Sequence, residues 1–159
     1  MFLKPDYNLK KVFDINLDEL KANGTKIILF DLDSTLMASK SATYSPEIKE
    51  WLSNVRKDFQ IAIVSNNNNT DYINKVKSIT DFPVLFEACK PCAGKAKEFL
   101  TFLGFEPKEA VLVGDRPLTD IWCGKKLGCK TILVDSITAE TENIPTRVVR
   151  KIERLCIKN

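Results

Sequence analysis

The sequence predicts an α/β protein: a doubly wound, mostly parallel five-stranded sheet with helices on both faces. Two observations lead there. Short, nearly continuous apolar runs alternate along the chain with amphipathic stretches. Strands buried on both faces read as such runs, and parallel neighbours need crossovers that are usually helical. Glycines also stand where the amphipathic stretches end, at Gly104 and Gly128, as helix stops do.

Taken in order, Lys26 to Phe30 (KIILF) reads as the first strand. Pro46 to Lys57 follows as a helix, with proline in a first turn after Ser45. Gln60 to Val64 (QIAIV) is the second strand and Thr70 to Ser78 the next helix. Phe82 to Phe86 (FPVLF) is a weaker third strand, because its proline cannot donate to a ladder. Ala93 to Leu103, Ala110 to Val113, Leu118 to Leu127 and Lys130 to Val134 continue as helix, strand, helix and strand. A last helix is expected over about 145–157. The core thus falls at about 26–134, and residues 1–159 are expected to form a single domain, the usual size for one.

Composition narrows the chemistry. Histidine is absent, which excludes imidazole acid–base catalysis, Ser-His-Asp and Cys-His systems, and His-ligated zinc. A net charge of +3 gives no ground for a nucleic-acid partner. No secretory signal or membrane span is legible. Five cysteines without export signals fit a reducing compartment, so a cytoplasmic location is expected. Cys89 and Cys92 form a C-x-x-C, but the later pair, Cys123 and Cys129, is too wide for a compact zinc site. Reduced thiols are the simpler reading.

Ligands in such sheets bind beyond the carboxyl ends of the strands. After the first strand comes Asp31-Leu32-Asp33-Ser34-Thr35, after the second Ser65 and four asparagines, near the third Lys90, and after the fourth Gly114-Asp115 with Asp120 beyond. Asp31, Asp33, Asp115 and Asp120 would repel one another if gathered without a cation, and oxygen-rich carboxylate sites suit magnesium. Ser65, Asn66 and the adjacent amides could hold an anion at the next helix's start, with Lys90 as a nearby positive charge. Together these point to phosphoryl transfer through an aspartyl-phosphate. Taken singly, Asp31 or Asp33 could be a turn residue, Ser65 could cap the helix from residue 70, and Lys95 competes with Lys90.

DLDST, a strand ending in Ser65, Lys90 and GDRPLTD together resemble, in order, the four motifs of the haloacid dehalogenase superfamily, whose fold is Rossmann-like. The resemblance implies Asp31 as nucleophile and magnesium ligand. It implies Asp33 as general acid and base, its backbone carbonyl facing the metal, and an acid at this place marks phosphatases. Thr35, Ser65 and Asn66 would serve the phosphoryl group, with Thr35 bracing the turn. Lys90 would offset charge, Asp115 would ligate magnesium, and Asp120 would hold a ligating water or orient Lys90. The intervals from Thr35 to Ser65 and from Ser65 to Lys90 are filled by one helix and one strand each, so no cap domain is expected.

Within the superfamily, KPDYNLKKVFDINLDELKANGTKIILFDLDSTL, SNNN, EACKP and GDRPLTDIWCGKKLG look like the YqeG type, related to phosphatidylglycerophosphate phosphatases. That branch often has Asn where Ser34 stands and a bulky residue where Pro117 stands. The resemblance implies a phosphorylated lipid substrate. An open site would also admit protein or nucleic-acid phosphate, and a non-catalytic scaffold is the reading from another class. In the tail, Val148, Val149, Ile152, Leu155 and Cys156 recur at helical spacing beside Arg147, Arg150, Lys151, Arg154 and Lys158. Such a helix can lie on an anionic membrane, here the inner face. The commoner arrangement packs the apolar stripe on the sheet and leaves the basic face to solvent.

Overall fold

The computed structural model describes residues 3–138, 144–155 and 157. Six parallel strands form one sheet in the order β1-β6-β5-β2-β3-β4. They are β1 (Tyr7–Asn8), β2 (Ile27–Phe30), β3 (Gln60–Val64), β4 (Val84–Leu85), β5 (Ala110–Gly114) and β6 (Lys130–Leu133). The five expected strands are all present, and the sixth is the added β1. Two residues carry no periodicity, so nothing in the sequence marks this strand. Asp6 fixes it instead: its Oδ2 accepts from the Thr131 amide at 2.8 Å and from the Thr131 hydroxyl at 2.9 Å.

The helices are α1 (Leu17–Ala22), α2 (Pro46–Val55), α3 (Thr70–Ile79), α4 (Gly94–Phe102), α5 (Trp122–Leu127) and α6 (Ile144–Leu155). Ser45 caps α2 by accepting from the Ile48 amide, and Asn69 caps α3 by accepting from the Tyr72 amide. Ser65 is therefore not the cap of α3. The helix expected from Leu118 is divided: a π-helical turn, Pro117–Ile121, leads into α5. Of the last helix, Cys156 and Lys158 lie outside the described residues.

Alternate side chains along the central strands enter two cores. Ile28, Phe30, Ile61, Ile63, Val111 and Val113 pack against Leu20, Ile48, Leu52, Tyr72 and Val76 of α1 to α3. Ile27, Leu29, Ala62, Val64, Ala110 and Leu112 pack against Ala96, Leu100, Cys123 and Leu127 of α4 and α5. Cys89 and Cys92 are exposed, whereas burial pushes the Cys123 and Cys129 thiols up to about 11 and about 12. Among the described residues no helix is long and apolar enough to cross a membrane.

α5 approaches β6 closely enough that a Cβ on Gly124 would stand 2.4 Å from the Thr131 Cγ2 methyl. Gly124→Ala should therefore destabilise the fold by about 1–3 kcal/mol, the usual cost of overpacking. Thr131→Ser removes that methyl and retains the hydroxyl that Asp6 accepts from. In denaturant titrations the double variant should recover most of the loss; purely additive effects would mean that the contact is not the cause.

Candidate active site

Strand order reverses between β2 and β5: from β2 the chain steps outward to β3 and β4, then returns to β5 and moves the other way. Loops leaving such a switch point part from one another and open a crevice at the strands' carboxyl ends. A cleft of about 300 Å³ lies there, lined by Asp31, Asp33, Ser65, Lys90, Asp115 and Asp120 among others. Asp31 directly follows β2 and remains in register, its amide donating to the Val113 carbonyl at 2.8 Å. The chain then folds back sharply, with Ser34 at a φ of 68°. That left-handed conformation is uncommon for a residue other than glycine.

Lys90 organises the acidic end. Its ammonium donates to Asp31 Oδ1 at 2.6 Å and to Asp120 Oδ1 at 2.7 Å, with the side chain 2% exposed. Burial disfavours this cation, but Asp120 and Asp31 outweigh it and hold its pKa above that of an ordinary lysine. Asn66 grips the Lys90 backbone from both sides: its Oδ1 accepts from the Lys90 amide at 2.7 Å, and its Nδ2 donates to the Lys90 carbonyl at 2.9 Å. Lys95, the rival in sequence, lies outside the cleft and donates to the Glu87 carbonyl.

Asp31 and Asp33 occupy different environments. Burial pushes the Asp31 carboxyl up to about 6, opposed by Lys90 and reinforced by Asp120. Asp33 is turned away from Lys90. It accepts from the Tyr72 hydroxyl at 2.6 Å, the Lys40 amide at 3.1 Å and Asn67 Nδ2 at 3.3 Å. Burial and the Asp33 carboxylate keep the Tyr72 phenol above its ordinary pKa, so it stays a donor. The Ser65 hydroxyl accepts from the Asn67 amide at 3.1 Å, which leaves its own proton to donate toward an anion.

Asp115 follows β5. Its Oδ1 accepts from the Thr35 hydroxyl at 3.2 Å, and its buried Oδ2 forms an ion pair with the Arg150 guanidinium of α6. Asp31, Asp115 and Asp120 bring carboxylate oxygens within 4.8 Å of one another, and among the described residues no other group of three could hold a metal ion. The donor set fits a hard divalent cation. Both Asp120 oxygens are engaged, one by Lys90 and one by the Arg116 amide, and Asp115 could serve a cation only by releasing Arg150. Arg116 is matched by Glu153 at 2.7 Å.

The structure thus gathers Asp31, Asp33, Ser65, Asn66, Lys90, Asp115 and Asp120 around one cleft. Thr35 lies beneath it, fully buried with its hydroxyl on Asp115, a place suited to bracing rather than to touching substrate. The Asp33 carboxylate stands apart from the three grouped for a cation. Asn66 has both amide atoms engaged with Lys90, which makes it a positioning residue. Sequence reasoning missed Tyr72, Asn67, Arg116 and Arg150. Tyr72 was findable, since it occupies the first turn of the helix that follows the Ser65 loop. Arg150 carried no such signal, being one of several basic residues in a tail.

An acidic cluster braced by lysine thus lies at the switch point of a doubly wound parallel sheet. A solved structure of a predicted HAD-like family hydrolase from Porphyromonas gingivalis shares this fold, with a TM-score of 0.59 at 15% identity over 81% of this chain and 98% of that one. The family model described as mitochondrial PGP phosphatase matches residues 1–138. The probable phosphatase YqeG of Bacillus subtilis is 31% identical over 96% of this chain and 88% of its own length. Phosphatidylglycerophosphate phosphatase 1 of Arabidopsis thaliana is 31% identical over 99% of this chain, which spans 48% of that protein. The chain belongs to the PGP phosphatase family.

The cluster makes a prediction about metal. A divalent cation held there, at about 100 times its Kd, should stabilise the folded protein by ~2.7 kcal/mol. For a chain of this size that is a rise in Tm of roughly 5–10 °C. Asp115→Asn should remove most of the rise in thermal melts. An equal rise in that variant would place the ion elsewhere.

Proposed function

We propose that this protein is a magnesium-dependent phosphomonoester hydrolase that works through an aspartyl-phosphate on Asp31. Its substrate in this reading is phosphatidylglycerophosphate, which loses its terminal phosphate to give phosphatidylglycerol. Residues 1–159 would act as one domain without a cap. The observation that carries the reading is the division between Asp31 and Asp33: two carboxylates one residue apart, one held by Lys90 and the other by Tyr72 and Asn67. The lipid substrate is supported by the name of the Arabidopsis relative and by the description of the matching family model.

With Lys90 fixed on Oδ1, the Asp31 carboxylate offers Oδ2 to the phosphorus. A new oxygen–phosphorus bond forms there as the bond to the glycerol oxygen breaks. Asp33 enters protonated and gives its proton to that departing oxygen, with Tyr72 orienting the carboxyl. In the second half Asp33 takes a proton from water, which attacks the phosphorus and frees Asp31 and inorganic phosphate. The Ser65 hydroxyl holds a phosphoryl oxygen through both halves. Lys90 balances the charge on the nucleophile and the phosphoryl group. Bound magnesium would supply charge neutralisation at the phosphoryl oxygens.

Asp31→Asn should abolish turnover while leaving the fold intact. Asp33→Asn should lose about 10²–10⁴ in rate, the usual range for a positioned acid–base group. That loss should shrink for nitrophenyl phosphate, whose leaving oxygen needs little protonation. Tyr72→Phe should lose roughly 10–100-fold, the worth of a hydrogen bond to a charged group. Phosphate release from phosphatidylglycerophosphate micelles, beside a phosphopeptide and an end-phosphorylated oligonucleotide, tests the substrate. Full activity in Asp31→Asn refutes the mechanism, and preference for either polymer refutes the lipid assignment.

A further inference from the structure

α6 is mounted the opposite way round from an ordinary surface helix. An amphipathic helix normally buries its apolar stripe and leaves its charged side to water. Here the charged side faces the protein. Arg150 pairs with Asp115, Glu153 is buried and accepts from Arg116 at 2.7 Å, and Arg154 donates to the Val134 carbonyl at 2.9 Å and pairs with Asp135. At 3.6 residues per turn, Ile144, Val148, Ile152 and Leu155 fall on the opposite side. They are 76%, 49%, 56% and 56% exposed, and Val149, at the margin, is 45% exposed. Arg147 and Lys151 are also exposed and border this stripe along one edge.

We propose that the outward apolar face of α6 docks on a bilayer carrying anionic lipid and holds the mouth of the cleft against it. A helix that sets an apolar face beside a basic edge matches the boundary of such a bilayer, with acyl chains below and anionic headgroups beside. A second cavity, of about 510 Å³, lies along the same helix. Ile144 and Val148 line its apolar part, Arg147 and Lys151 its basic part, and Asp115 and Arg150 the part it shares with the cleft. A route graded from apolar through basic to the acidic site suits a phosphorylated lipid that keeps its acyl chains in the membrane. A second copy of the chain fits less well, because pairing stripe to stripe would bring Arg147 and Lys151 toward their own like charges. The inference rests on the lipid-phosphate reading of the cleft for its purpose, but binding is measurable without turnover.

The test is co-sedimentation of the full chain with vesicles of phosphatidylcholine, with and without an equal part of phosphatidylglycerol. The wild type should sediment with the anionic vesicles and be released at 1 M salt, where the Debye length is about 3 Å. Val149→Ser/Ile152→Ser/Leu155→Ser should lose vesicle binding while hydrolysing a soluble aryl phosphate at the wild-type rate. Arg147→Gln/Lys151→Gln should bind roughly 30-fold more weakly, the factor that two basic residues near an anionic surface contribute. Ile152→Trp keeps the face apolar, and its added indole should be quenched by brominated phosphatidylcholine, a readout that stands if the serine variant misfolds. Unchanged sedimentation of a folded serine variant overturns the proposal. So does an Ile152→Trp variant quenched no more than the wild type, whose only indoles are Trp51 and Trp122. A wild-type dimer that the serine changes dissolve without any vesicle binding overturns it as well. A wild type that binds anionic vesicles yet cleaves no phosphatidylglycerophosphate supports the docking face and refutes the substrate reading alone.

Discussion

The buried ammonium of Lys90, shared between Asp31 and Asp120, is the contact on which the cleft depends. It ties the end of β2 to the turn after β5 through a loop that follows β4, so three separate strand ends meet at one atom. Such an arrangement adds little net stability, because desolvating the charges offsets much of their attraction. Removing one partner is another matter, costing about 3–5 kcal/mol by leaving an uncompensated charge inside. Its neighbours are fitted to it. Asn66 grips the lysine backbone on both sides, and Gly114 leaves room for Asp120 to fold back. A Cβ on Gly114 would stand 2.3 Å from the Asp120 carboxyl carbon.

From that contact the division of labour between two nearby aspartates follows. Asp31 cannot turn away from Lys90 without exposing a buried charge, so one oxygen is fixed and the other faces the cleft. Asp33, carried past the strand's end, is brought to the far side by the tight turn through Ser34. There it meets donors from α3 and the Ser65 loop rather than a second ammonium. The backbone turn thus gives two identical side chains different surroundings. Arg150 adds a further element, since α6 delivers a cation to Asp115 from outside the sheet. The helix that presents an apolar face to the surroundings is the same helix that touches the acidic cluster.

The sheet was legible because its central strands are buried on both faces and read as unbroken apolar runs. The cleft residues were legible because strand order converts position in sequence into position in space: whatever follows β2, β3 and β5 must converge. Strand β1 was not, since its two residues are held by Asp6 reaching across to Thr131, a contact with no local pattern. The π-helical turn at Pro117–Ile121 was also hidden, as a helical period does not reveal one wide turn at its start. For α6 the amphipathic pattern was plain, but a pattern does not state which side faces inward. Three ion-pair partners just beyond β5 and β6, namely Asp115, Arg116 and Asp135, decided that.

The central claim is that Asp31 carries the phosphoryl group between the two halves of the reaction. The most direct measurement mixes the Asp33→Asn enzyme with magnesium and nitrophenyl phosphate, quenches in acid, digests, and locates any phosphorylated fragment by mass spectrometry. Asp33→Asn retains the nucleophile but lacks the base for hydrolysis, so the intermediate should accumulate. The account predicts one phosphoryl group on the fragment containing Asp31, bound as an acyl phosphate and released by hydroxylamine. A phosphoryl group on a serine or threonine, or release of phosphate with no labelled fragment at any time, would contradict it.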